Sequence, residues 1–486
     1  MNADTGDNRA WEIDDLLDGL NPDLLQHELD FLRSEADYIA EQMQTQFDTS
    51  GSAQAQSLVG RYLRLDQRFE ALSSVVQLAS MCQPNRKMVQ QATNALSHIG
   101  IYIYHRTVSL INAWRTLVGE DERFLKDHPV HAEWLTSLNR IEAATTTDQQ
   151  PADNQTSIGE GWSRIMQSAS PSVRRDFDRQ HVDAIAALLQ QRIRSDPLPP
   201  DASMPSGLHS WARLNSVKST TLDSLLIGNE YQEGHTYVRE IQCRAGLNRC
   251  TLDTFRALEQ DEMTISQLNV DEMIELVLTG LHAFDPEGAC IAQRLVAEKR
   301  LAVLTTSSGD NLRSSPSLCL DTPFGAFVRV NFQSDMNNLM ILMHELGHAI
   351  HYEKRRASGK GHIPLTIVAS ESAALSAERS LARWLMDQGE SWEIPAQHYL
   401  RFQTMEMNFR HRMLARFELG LYRLPDLTSG SINQYWMQLN HAFYGPTIEF
   451  DTEFEVAWCE VHHLFTAPWY LLAYPLAIQQ APTWPD

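Results

Sequence analysis

The stretch Asn338-Leu-Met-Ile-Leu-Met-His-Glu-Leu-Gly-His-Ala-Ile-His351 carries two histidines four residues apart, with a glutamate after the first. At helical spacing His344 and His348 share one face, one turn apart, where their imidazoles can grip a single metal ion. Glu345 then stands where a general base toward water is needed, and the five residues from His344 to His348 predict metal-assisted hydrolysis of a peptide bond. The segment is apolar around most of its circumference, which predicts a buried helix. Two histidines and a glutamate in a buried helix are costly to desolvate unless something satisfies them, and a metal ion does. The plain alternative, a helix with two surface histidines, fits those surroundings poorly.

A catalytic zinc site needs a third protein ligand and an open fourth position. After the loop Ser358-Gly-Lys-Gly-His-Ile-Pro364 a second helix is expected from about Thr366, carrying Glu371 and Glu378. Their spacing is about two helical turns, so both carboxylates lie on one face. The residues between them are Ser, Ala, Ala, Leu, Ser and Ala, which suit close helix packing better than a solvated acidic stripe. Glu371 is the expected third ligand and Glu378 the group that orients a ligating histidine from behind. With that set filled, His351 is expected to be structural or supporting, and His362 to contact substrate or nothing. One Zn²⁺ per chain is expected rather than manganese or cobalt, because affinity order and a His/His/Glu set favour it.

This order of motifs resembles the M3 peptidases, and most of all their oligoendopeptidase F branch. The likeness extends to Trp11-Glu-Ile-Asp-Asp-Leu-Leu, Asn215 to Asn229, Arg313-Ser-Ser, Phe327-Val-Arg-Val-Asn-Phe332, Tyr444-Gly-Pro446, and Trp458 to Ala477. It implies a mainly α, multi-helical body around a deep substrate channel, with a small β-sheet beside the zinc helix. It also implies that a histidine and tyrosines of the C-terminal segment stabilise the oxyanion. Here those are Tyr470, Tyr474 and His463, with the neighbouring His462 as the alternative histidine. Core aromatics with satisfied hydroxyls are the plain alternative. The chain departs from the family pattern at Leu472, where a middle tyrosine is expected, and it is shorter than a typical member, which would leave the channel more open.

Composition narrows the partners. The 486 residues are 43% hydrophobic and 21% charged, as in an ordinary globular enzyme with one to three domains. A net charge of −22 argues against nucleic acid and anionic membranes as partners. The six cysteines are scattered without CxxC spacing, so a cysteine zinc site is not expected. The polar, acidic opening Met1 to Arg9 does not read as a secretory leader and no apolar run reaches membrane-span length, so a reduced cytoplasmic setting is the default expectation.

Along the chain, Asn21-Pro22 predicts a helix start, followed by Leu24, Leu25, Leu29, Leu32 and Ile39 at helical spacing. Residues 55–80 and 88–117 continue the pattern, and the polar run 145–157 reads as a linker. The prolines of 196–205 set a boundary near 205, giving an N-terminal helical region (1–205) and a zinc-binding catalytic region (206–486). Val270 to Phe284 is an amphipathic helix. Thr305-Thr-Ser-Ser-Gly-Asp310 reads as a turn, and Gly325 to Phe332 as a short strand. The resemblance implies that this strand is an edge at which Phe327, Val328, Arg329 and Val330 pair with extended substrate, with His462 also at substrate; a core strand is the alternative. Arg410, His411 and Arg412 form a basic cluster expected to face solvent or internal acids more than a substrate carboxylate.

The expectation is thus a zinc oligopeptidase that cuts internal bonds of short unfolded peptides, with Glu345 as base. Two alternatives stand beside it: a processing peptidase for one cognate leader or precursor, and a zinc-containing peptide binder that has lost catalysis.

Overall fold

The computed structural model describes residues 11, 22–45, 52–82, 87–119, 158–159, 161–163, 165–166, 179–199, 202–227, 231–305, 317–361 and 365–481. Residues 12–17, Asn21, 145–157, Asn229, 306–310, Arg313 to Ser315 and His362, all read above, lie outside them.

Among the described residues three long helices come first: α1 (Pro22–Thr45), α2 (Ser52–Cys82) and α3 (Lys87–Gly119). They pack on one another through the apolar stripe that the spacing predicts, with Leu25, Leu29, Leu32 and Ile39 buried. Leu24, read as part of that stripe, faces solvent. Further along come α4 (Arg179–Ser195), α5 (Ser206–Leu214), α6 (Ser219–Ile227), α7 (Gln232–Arg244), β1 (Cys250–Thr251) and α8 (Leu252–Asp261). They are followed by α9 (Val270–Phe284), α10 (Pro286–Ala297), β2 (Leu301–Thr305), β3 (Leu318–Thr322), β4 (Gly325–Phe332), α11 (Met336–Ala357), α12 (Ile367–Met386) and α13 (Glu390–Thr404). A π-helical segment, Met405–Arg410, joins α13 to α14 (His411–Leu421). The chain closes with α15 (Ser429–Tyr444), β5 (Ile448–Glu449), a 3-10 helix (Thr452–Glu460), α16 (His463–Thr466), a 3-10 turn (Tyr470–Leu472) and α17 (Ala473–Gln480). The fold is mainly α.

The hydrophobic core does not divide at 205. Val182, Ile185 and Leu189 of α4 pack in the same cluster as Leu208, Trp211, Phe417, Trp458 and Trp469. The prolines at 197 and 199 end a helix without ending the core.

The larger sheet has the order β2-β4-β3. β2 runs parallel to β4, Leu301 opposite Val328, and β3 antiparallel to it, Leu318 opposite Arg329. This corrects the edge-strand expectation: β4 is the central strand. Gly325 to Val330 are all buried, the continuous pattern of a strand covered on both faces rather than an alternating one. Phe327 packs into the core of α1–α3, Val328 and Val330 pack under α11, and Arg329 is buried as well. The Val328 carbonyl accepts from Trp11 Nε1 at 2.8 Å, so the N-terminal tryptophan also fastens to this strand. Among the described residues β3 is paired on one side only.

α11 and α12 hold the predicted motif. Asp335 caps α11 by accepting from the Asn338 N–H, and Thr366 caps α12 by accepting from Ala369. The two helices meet at Gly347, where an added Cβ would lie 2.9 Å from Ala377 Cβ and 3.0 Å from Ala374 Cα. Gly347 and the small residues between Glu371 and Glu378 thus permit the approach that carries a carboxylate to the histidines. Gly347→Ala is expected to force the helices apart, at about 1–3 kcal/mol of stability, and to weaken metal binding. Denaturant unfolding and metal titration check this, and a variant normal in both would refute the close-approach argument.

Candidate metal centre and active site

α11 presents His344 and His348, and α12 presents Glu371, at one point between the helices. His344 Nε2 lies 3.1 Å from His348 Nε2 and 3.4 Å from Glu371 Oε2, and His348 Nε2 lies 3.8 Å from Glu371 Oε1. Ligands about 2.0–2.2 Å from a tetrahedral zinc sit about 3.3–3.5 Å apart, so the three donors are close to the required spacing. Among the described residues this is the group of titratable side chains whose donors converge in that way.

The remaining polar atoms are arranged to aim those donors. Glu378 Oε1 is 2.5 Å from His344 Nδ1. A carboxylate there can only accept, so His344 carries its proton on Nδ1 and turns Nε2 toward Glu371. The other oxygen, Glu378 Oε2, accepts from Tyr399 Oη and Gln403 Nε2, each at 2.5 Å. His348 Nδ1 is bonded to Ser370 Oγ at 3.0 Å, and Ser370 Oγ to Tyr352 Oη at 3.0 Å. One oxygen is left over: Glu371 Oε2 is buried without a hydrogen-bond partner and faces His344 Nε2. Three buried glutamates, 345, 371 and 378, crowd this point, and a cation answers both the orphan oxygen and the charge. The residues present fit a zinc ion.

Electrostatics follow from burial and these contacts. Burial opposes ionisation of Glu371, but the adjoining His344 and His348 imidazoles and the Tyr470 hydroxyl hold it down at about 2. Burial lowers His348 to about 4. For His344 burial acts downward too, yet the adjoining Glu371 carboxylate and the bond to Glu378 keep it well above the usual imidazole range. Burial pushes Glu345 up to about 7 against the downward pull of His344, which puts a proton acceptor near neutral beside the donors.

The C-terminal segment closes the site. Tyr470 Oη donates to Glu371 Oε1 at 2.5 Å. The His463 ring stacks on Tyr470 at 4.5 Å, and its Nδ1 is buried without a partner. Burial lowers His463 to about 3, so it is neutral. Tyr474 meets Tyr470 at 5.7 Å. His462 is exposed and lies against Trp162 and His463; of the doubled histidines, His463 is the one that touches the tyrosines. Leu472 is fully buried in the apolar core beside Leu471, which gives the departure at that position a packing role. His351 stacks on Tyr352, behind the donors.

Sequence reading missed Ser370, Tyr352, Tyr399 and Gln403. Ser370 adjoins Glu371, and Tyr399 and Gln403 are four residues apart on α13, but neither spacing says which carboxylate they serve. Glu378→Ala should strip Tyr399 and Gln403 of their acceptor, free the His344 ring, and lower zinc affinity about 10–100-fold. Competition with a chromophoric chelator measures this; native affinity would remove Glu378 from the supporting role.

No family model matches the chain. Oligopeptidase PepF of Bacillus subtilis is 22% identical over 229 residues, 43% of this chain and 34% of that protein. The chromosomal oligoendopeptidase F of Lactococcus lactis subsp. cremoris is 26% identical over 151 residues, 29% of this chain and 24% of that one. The matches thus span about a third and a quarter of these curated relatives' own length. Among solved structures, PZ peptidase A with an inhibitor superposes with TM-score 0.68 at 14% identity, covering 92% of this chain and 85% of that one. Oligoendopeptidase F from Enterococcus faecium gives 0.54 at 15% identity, covering 94% and 87%. At such identities the likeness is one of fold. In sequence and in fold alike, the chain resembles the oligoendopeptidase F branch of the M3 peptidases.

Proposed function

We infer that the chain is a zinc-dependent peptidase that hydrolyses internal bonds of short unfolded peptides. The observation that carries this reading is the convergence of His344 Nε2, His348 Nε2 and a partnerless Glu371 oxygen beside the buried carboxyl of Glu345. His344, His348 and Glu371 would hold the ion, which when bound supplies a Lewis acid that activates water and polarises a carbonyl. Glu345 takes the proton from the attacking water and returns it to the leaving amine. Glu378, itself held by Tyr399 and Gln403, keeps the His344 ring aimed. His463 and Tyr474 supply hydrogen-bond donors for the developing oxyanion, joined by Tyr470 when its hydroxyl turns from Glu371 to the substrate. An extended peptide is expected to add to the sheet at β3, Leu318–Thr322, since β4 is paired on both sides. Names of the relatives, oligopeptidase and oligoendopeptidase, support the substrate class.

No helix among the described residues is long and apolar enough to cross a membrane. We take the chain as acting in the cytoplasm, on peptides rather than on nucleic acid or membranes.

A mass-spectrometric digest of a mixed synthetic peptide library tests the reading. Internal cuts that a chelator abolishes are expected. A zinc-loaded chain that makes none would overturn the general peptidase reading.

A further inference from the structure

The helix that supplies Tyr399 and Gln403 does not continue as a simple α-helix. In the π segment Met405–Arg410 the His411 N–H reaches the Glu406 carbonyl, five residues back. A π turn absorbs one extra residue. Gln403 and His411 are eight residues apart, about 80° out of phase on an uninterrupted α-helix; with one residue absorbed they count as seven, within about 20° of one face. That face is the one that Tyr399 and Gln403 turn to Glu378. The π turn therefore swings His411 toward the metal-centre side, where its ring lies 4.4 Å from that of Tyr474 at 52°.

The ring is also anchored. His411 Nδ1 is 2.6 Å from the same Glu406 carbonyl oxygen. A carbonyl only accepts, so the proton sits on Nδ1 and the ring cannot turn without losing that bond. The result is a paired arrangement over Glu371: His463 stacks on Tyr470, His411 lies on Tyr474, and the two tyrosines meet at 60°.

We propose that His411 is a positioning residue for Tyr474, placed by the π turn and locked by the Glu406 carbonyl. Its kinetic consequence rests on the peptidase reading; its structural consequence does not. His411→Ala is expected to lower kcat about ten- to a hundredfold with the zinc content unchanged, since a misplaced catalytic group costs rate. KM should stay within about twofold. In a Tyr474→Phe background the same change should subtract little more, because both act through one hydroxyl. His411→Phe keeps a ring against Tyr474 and a filled core, so it should fold and retain more activity than the alanine variant. A crystal structure of the His411→Ala chain, independent of turnover, should show Tyr474 displaced. Tyr474 unmoved, full additivity with Tyr474→Phe, or a His411→Phe chain no better than His411→Ala would each overturn the proposal. A native chain without turnover would instead fail the peptidase reading and leave the crystallographic comparison to decide this one.

Discussion

Glu345→Gln is expected to keep its zinc and to lose kcat by about 10²–10⁴-fold. Glutamine has the shape of glutamate, and the three donors that would hold the ion are separate side chains, so metal stoichiometry should not change. The loss should fall on kcat with KM nearly constant, because a proton is transferred only as the transition state is reached. Stability should hold or rise, since the neutral amide avoids the burial that pushes the Glu345 carboxyl up to about 7. Peptide turnover, zinc content and thermal unfolding of the same preparation check all three. A Glu345→Gln chain that cleaves peptides normally would remove Glu345 as the base; one that loses zinc would show that the carboxyl supports the ion and not only the proton transfer.

What could be read ahead of the structure was whatever depends on spacing within one helix. His344 and His348 at one turn, Glu371 and Glu378 at two, and the small residues that let α12 approach Gly347 are all local patterns, and the geometry follows from them. The strand Gly325–Phe332 was legible as an element, but its place in the sheet was not. Whether a strand is central depends on two partners, one of which, β2, lies twenty residues away, and only the unbroken burial of Gly325 to Val330 hints at it. Tyr399 and Gln403 could not be read, because their target Glu378 is met only after α12 and α13 pack. The boundary expected near 205 rests on prolines, which report where a helix must stop and say nothing of which core the preceding helix joins.

Arg192, on α4, is buried with Glu418, on α14, in an ion pair. Arg192 Nη1 also donates to the Leu464 carbonyl at 2.6 Å, and the Trp469 N–H donates to Glu418 Oε1 at 2.9 Å. The pair thus grips both sides of the turn that separates His463 from Tyr470. Trp469 needs the grip: its φ of 66° is left-handed, a conformation costly for a bulky side chain. Glu418→Ala is expected to destabilise the chain by about 3–5 kcal/mol, because it strands a buried guanidinium. Replacing both residues by methionine removes both charges and should restore much of that stability. It should not restore turnover, because the Trp469 N–H and the Leu464 carbonyl still lack partners and Trp469 is free to leave φ 66°, carrying Tyr470 away from Glu371. Denaturant unfolding and peptide kinetics on the single and double variants separate the two effects. A double variant that recovers stability and turnover together would reduce the pair to charge balance, whereas recovery of stability alone would make it the element that sets the geometry of the C-terminal half of the site.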